Sequence, residues 1–288
     1  MRYKIKNAYL EASIDDLGAQ LCSLKKINDS CEYIWQADEN YWNRHAPILF
    51  PIVGKLKDNT FSYEDKNYKM TQHGFARDKE FELVKQKNDF ICFRLSSCEK
   101  TLENYPFEFE LYLSYELKNN SLITSYEVVN NSNKKMYFSI GAHPAFNWPL
   151  CNEEKEDCYL EFLDIDSFES HNINEVGLSL DTKTIPLKEN KLFLNEELFE
   201  NDALITKDLK YKNITYKNKK NDRFISVGFN DFPYLGLWSK PQGADFLCIE
   251  PWCGVADFEN HNGELINKKG INILNENEIF NSSFCIKI

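Results

Sequence analysis

Apolar and polar residues alternate most strictly over Phe107–Leu117, where every odd position is apolar or aromatic and most even positions are polar. A period of two sends successive side chains to opposite faces, so this stretch predicts a half-buried strand. After the polar turn Lys118–Ser121, the run Leu122–Val129 carries β-branched residues and ends in the polar cluster Asn130–Asn133, which predicts an antiparallel hairpin. Shorter strand-like runs recur at Leu17–Leu24, Phe90–Leu95, Lys135–Ile140, Tyr159–Phe162, Arg223–Phe229, Phe246–Ile249 and Phe280–Ile288. Many short strands separated by turns predict an all-β chain folded as a large antiparallel β-sandwich. Helical periodicity is confined to Asp38–Trp42 and Glu196–Glu200. The absence of βαβ alternation and of a glycine-rich phosphate loop disfavours a nucleotide-binding Rossmann or P-loop fold. No internal repeat, low-complexity tract or flexible linker interrupts the pattern, so residues 1–288 are predicted to form a single domain.

Composition agrees with a large core, at 42% hydrophobic and 14% aromatic residues in a chain of 288. The net charge of -11 argues against a nucleic-acid backbone or an anionic membrane as partner. No apolar stretch reaches the length of a membrane span and the first residues lack a signal-peptide core, so a cytoplasmic location is expected. Nine scattered cysteines, with no Cys-x-x-Cys pair and no matching histidine spacing, predict neither a disulfide framework nor a zinc site. Cys92 and Cys285 fall in apolar strand-like runs and are predicted to be small core residues.

The five histidines narrow the search for chemistry. His143 lies in Gly141–Pro149, directly before a proline and between aromatic neighbours, at the end of the predicted strand Lys135–Ile140. Proline disfavours the helical region for the residue before it, which holds the His143 backbone extended. It is a candidate proton donor; the alternative is a histidine bonded to backbone carbonyls in an aromatic core. In Thr71–Asp78, His73 and Arg77 share a face if the segment is extended, with Gly74 letting the backbone approach a ligand, which suits recognition of hydroxyl groups. The alternative there is a turn in which Arg77 pairs with Asp78 or Glu80. In Phe246–Asp257 an apolar strand is expected to end at Glu250, a carboxylate pinned before Pro251 and walled by Trp252. Asp202 either accepts hydrogen bonds from a ligand or caps a turn. Arg44 sits in the aromatic run Tyr41–Pro51, and Trp238 offers a ring to the apolar side of a sugar or fills the core.

Taken in order, Gln72–Arg77, Gly141–Phe146, Asn201–Leu204 and Cys248–Trp252, with Gly254 and Asp257, resemble the aldose 1-epimerase (mutarotase) family, in the branch named after the LacX protein. The resemblance implies a galactose mutarotase-like supersandwich, no obligatory cofactor, no metal ligands, and a small sugar as partner for a monomer or homodimer. It further implies that His143 is the general acid and Glu250 the general base, and that His73, Arg77 and Asp202 hold the sugar ring and hydroxyls. Arg44 and Trp238 complete the implied substrate site. One acid and one base suffice to open and reclose a hemiacetal, and the two groups are expected to face each other across a sugar-sized gap. Two other readings stay open: a hexose-phosphate epimerase, with Arg44 and Arg77 meeting the phosphate, and a sugar-binding protein without activity. A glycoside hydrolase would need a second carboxylate, such as Asp202, flanking the bond with Glu250.

Overall fold

The computed structural model describes residues 1–151, 154–174 and 177–288. Two large antiparallel sheets dominate it. The predicted hairpin is present as Phe109–Lys118 paired with Ser121–Asn130, with Leu122 opposite Leu117. Its alternate residues are buried along both strands, so the period of two seen in the sequence is the period of burial. This hairpin lies within a nine-stranded sheet, flanked by Phe90–Ser96 on one side and Ile279–Lys287 on the other. The second sheet, of eight strands, runs Leu178–Pro186, Ser167–Ile173, Leu204–Lys207, Tyr234–Trp238, Phe246–Cys253, Ile140–Ala142 and Ile48–Leu49, and Ala145–Asn147 also pairs with Phe246–Cys253. One continuous hydrophobic cluster extends from Ile5 to Ile288. No helix among the described residues is long and apolar enough to cross a membrane.

Several expectations are corrected in detail. The strand expected over Leu17–Leu24 begins only at Leu21, because Gly18 and Ala19 adopt positive φ in a turn. Asp38–Trp42 is a turn rather than a helix, closed by the Asp38 side chain accepting the Asn40 N–H and by the Asp38 carbonyl accepting those of Tyr41 and Trp42. Glu196–Phe199 is one 3-10 turn, capped by Asn195. Cys92 and Cys285 are half-buried rather than core residues, since in Phe90–Ser96 and Ile279–Lys287 the fully buried register belongs to their neighbours Ile91, Phe93, Phe284 and Ile286. Cys31 and Cys151 form a disulfide across 120 positions. Chain spacing carried no sign of it; the bonds from Asn147 N–H to the Tyr33 carbonyl and from Trp35 N–H to the Ala145 carbonyl bring the two segments side by side.

The largest correction bears on the site. The strand Phe246–Cys253 does not end at Glu250 but runs on through Pro251 to Cys253. Proline is tolerated there because the neighbouring strand is broken: Ile140–Ala142 pairs with Trp252 and Cys253, Ala145–Asn147 pairs with Phe246 to Cys248, and His143 and Pro144 lie between. The donor that Pro251 lacks thus falls where the ladder is already interrupted. Ile249 N–H bonds the Pro144 carbonyl across the same gap.

Candidate functional site

Alternation along Phe246–Cys253 divides the strand by chemistry. Leu247, Ile249 and Cys253 join the main core, whereas Phe246, Cys248, Glu250 and Trp252 face the other way. Glu250 is therefore a buried carboxyl on the cleft side of a central strand, 1% exposed. On the interrupted neighbour, Gly141 touches the Trp252 side of the sheet, and two residues on His143 turns to the same side. The His143 Nε2 to Glu250 Oε2 distance is 3.2 Å. The two groups are in contact, not separated by a sugar-sized gap, because the strands that carry them are adjacent.

His143 is held by rings, but not by those of its own loop. Phe146 and Trp148 are buried in the main core, whereas the imidazole lies 4.8 Å from the Trp42 ring, 5.7 Å from Trp238 and 5.5 Å from His73, centre to centre. Trp252 is laid flat by two glycines: a Cβ on Gly236 would stand 2.6 Å from its Cη2, and one on Gly141 would meet its Cδ1. Those two strand positions must lack side chains for the indole to cover the sheet.

Arg44, His73, Arg77, His143, Asp202, Trp238 and Glu250, all singled out in the sequence, line one cleft of about 590 Å³, within the ~300–1,000 Å³ usual for small-molecule sites. Trp42, Lys55, Gln72 and Asn174 line it as well. Trp42 was legible as a ring beside Arg44 and Gln72 as the first residue of the motif Gln72–Arg77; Lys55 and Asn174 are polar loop residues without a distinguishing neighbour.

The segment carrying His73 and Arg77 is not extended. His73 has φ +66°, Gly74 φ +72°, and Ala76–Asp78 is a 3-10 turn. Gly74 lets the chain approach not a ligand but the Phe50 backbone, whose carbonyl accepts the N–H groups of Phe75 and Ala76. This turn buries His73, and Gly54 N–H donates to its Nδ1 at 3.1 Å. An accepting Nδ1 places the ring proton on Nε2, so His73 is a neutral donor. Arg44 bonds Asp78 Oδ1 at 2.9 Å, while Arg77 Nε is 3.9 Å from Oδ2 of the same carboxylate and its Nη2 donates to the Gln72 carbonyl at 2.7 Å. Asp202, at φ +75°, caps its own turn through the Ala203 N–H and still lines the cleft.

Burial sets the charge states. It pushes His143 down to about 3, with the Arg77 guanidinium acting in the same sense. It raises Glu250 well above the usual carboxyl range, reinforced by Asp202. His73 is held well below its ordinary value by burial first and then by His143 and Arg77. A cationic His143 would have lowered Glu250; desolvation prevails instead. Burial thus favours the uncharged form of both groups, an imidazole against a carboxylic acid, and in that form the pair holds one transferable proton.

Behind the cleft, Lys268 Nζ donates to Asp257 Oδ1 at 2.9 Å and to the Val255 carbonyl at 2.6 Å, with both charged side chains 1% exposed. Asp257 Oδ2 accepts Lys57 N–H at 3.0 Å and lies 3.3 Å from His261 Nδ1. Between Val255 and Asp257, Ala256 packs on Gly54, whose N–H fixes the His73 ring.

The family profile described as Aldose 1-epimerase matches residues 1–271. Protein LacX (chromosomal) of Lactococcus lactis subsp. lactis is 39% identical over 267 residues, covering 89% of each chain. The crystal structure of a galactose mutarotase related enzyme from Lactobacillus acidophilus superposes with a TM-score of 0.95 at 36% identity, over 100% of this chain and 97% of that one. A galactose mutarotase-like protein from Lactobacillus casei gives 0.91 at 31%, over 100% and 99%.

Proposed function

Since the chain belongs to the aldose 1-epimerase family, we propose that it interconverts the α and β anomers of a free aldohexose by acid–base opening and reclosure of the hemiacetal. The observation that carries this is the buried contact of His143 with Glu250 in the floor of a sugar-sized cleft. The anomeric hydroxyl and the ring oxygen are both bonded to C1, so two groups side by side can reach both from one direction. Glu250 as carboxylate takes the proton of the C1 hydroxyl while His143 as imidazolium delivers one to the ring oxygen, and the C1–O5 bond breaks. This charge pair is the tautomer of the neutral pair that burial favours in the empty cleft, reached by passing one proton from Glu250 to His143. Rotation about C1–C2 and attack from the other face, with the two groups exchanging roles, close the second anomer.

The other side chains suit recognition. His73 offers its Nε2–H to a sugar oxygen, and Arg44 and Arg77 offer guanidinium donors. Asp202 is an acceptor, and Trp42, Trp238 and Trp252 provide apolar faces for the C–H side of a pyranose. The core cluster running from Ile5 to Ile288 supports treating the chain as one functional unit.

A hexose-phosphate substrate is the second reading, favoured by the two arginines side by side. Asp78, bonded to Arg44 and near Arg77, already offsets their charge, and this supports the free sugar. Anomer exchange followed by NMR on glucose and glucose 6-phosphate separates the two. Glu250→Gln and His143→Asn are each expected to slow exchange by about 10²–10⁴-fold while near-ultraviolet circular dichroism stays native. Unchanged rates in both variants refute the proposal.

A further inference from the structure

One buried thiol next to the cleft takes no part in the proposed acid–base step. Cys248 precedes Glu250 by two positions on the same strand, so its thiol shares the face on which Glu250 meets His143. One donor atom each from His143, Cys248 and Glu250 lies within 4.8 Å of the other two, and all three residues are buried. Glu250 Oε2 and His143 Nδ1 make no hydrogen bond among the described residues, although Glu250 is 1% and His143 7% exposed. A buried carboxyl oxygen without a hydrogen bond is uncommon, and Glu250 Oε2 lies beside the His143 Nε2 with the Cys248 thiol close by.

Nitrogen, sulfur and carboxylate oxygen form a donor set suited to zinc. With metal–ligand distances of about 2.0–2.3 Å, tetrahedral geometry places the ligand atoms roughly 3.4–3.6 Å apart. The His143 Nε2 to Glu250 Oε2 edge, at 3.2 Å, is already close to that length. With donor atoms of the three groups within 4.8 Å of one another, the thiol has to move by on the order of 1 Å to complete the set, which rotation about its side-chain bond and small shifts of its neighbours supply. Both His143 and Glu250 line the cleft, so the fourth position opens onto it.

We propose that His143, Cys248 and Glu250 bind one thiophilic divalent cation of the zinc type, and that the bound cation switches the cleft off by occupying the acid and the base. The binding stands by itself; the switching rests on the function proposed above. Ligation replaces the S–H bond of Cys248 with an S–metal bond and the O–H bond of the Glu250 carboxylic acid with an O–metal bond, releasing both protons to solvent, while the neutral imidazole contributes a lone pair. No redox change occurs.

Cd²⁺ is the direct probe, because a cadmium thiolate has an ultraviolet charge-transfer band of its own. Cys98 is exposed, so the titration is run on the Cys98→Ser protein, followed by the same protein carrying Cys248→Ala, Cys248→Val, His143→Asn or Glu250→Gln. One tight equivalent is expected in the parent. Both Cys248 variants should lose the band. Each of the other two should bind at least about 100-fold more weakly, since even changes to the outer partners of a ligand cost ~10–100-fold. Near-ultraviolet circular dichroism establishes that each variant is folded. A band that persists in either folded Cys248 variant, or undiminished affinity in both His143→Asn and Glu250→Gln, overturns the site. In the parent, Zn²⁺ should stop anomer exchange and EDTA restore it, whereas the rate that Cys248→Ala retains should not respond to Zn²⁺. Tight Cd²⁺ binding with anomer exchange insensitive to Zn²⁺ overturns the switch and leaves the site. Tight binding without anomer exchange in the untreated parent overturns the function proposed above.

Discussion

Replacing Lys268 by methionine isolates the contribution of a single buried charge. Methionine keeps the aliphatic stem and removes the ammonium, leaving the Asp257 carboxylate, 1% exposed, with only the Lys57 N–H and the nearby His261 ring. Breaking a buried ion pair by deleting one partner costs about 3–5 kcal/mol, because the survivor is left desolvated and uncompensated. That is a large share of the ~5–15 kcal/mol by which a native protein is stable. At roughly 2 °C or more per kcal/mol for a domain of this size, the melting temperature should fall by about 10 °C. The assay is thermal unfolding at neutral pH of Lys268→Met, Asp257→Asn and the double variant. In the double variant neither charge remains, so it should recover part of the loss of either single change, giving a coupling of more than ~1 kcal/mol. A loss below about 1 kcal/mol in Lys268→Met, or a double variant as unstable as the sum of the singles, would refute the reasoning.

Two glycine substitutions test the architecture of the cleft. Gly236→Ala places a methyl group against the Trp252 ring; overpacking of this kind costs about 1–3 kcal/mol, and the displaced indole should raise KM for the sugar more than it lowers kcat in steady-state anomerisation kinetics. Gly74→Ala imposes both φ +72° and a clash with the Phe50 carbonyl. It should cost at least about 2 kcal/mol in urea unfolding and, in NMR spectra of the histidine ring, release His73 from its Gly54 hydrogen bond.

Strand identity was legible in the sequence because burial in these sheets follows the alternation, as in Phe109–Lys118, Ser121–Asn130 and Phe90–Ser96. The seven singled-out residues reach one cleft because their segments flank the same central strands. What failed depends on pairing rather than on local pattern. Pro251 reads as a strand end, yet it is harmless where its neighbour has left the ladder. The same break brings His143 into contact with Glu250, a distance no local pattern contains. The sequence around His73 and Arg77 allowed either an extended segment or a turn with Arg77 near Asp78; the turn forms because Phe50, remote in sequence, supplies a carbonyl to Phe75 and Ala76. The Cys31–Cys151 bond and the approach of Cys248 to His143 likewise follow from which strands lie side by side.

The gap at His143 and Pro144 also ties chemistry to correct assembly of the sheet. His143, in the break, stands opposite Glu250 on the neighbouring antiparallel strand, and both side chains turn to the cleft side of the sheet. A one-residue slip of either strand would send one of the two to the opposite face, into the hydrocarbon between the sheets, where an ionisable group is heavily penalised. Misregistered pairings of these strands therefore lose the contact of His143 with Glu250 and, with it, stability. The buried pair thus ties the register of the central strands to the geometry proposed for the site.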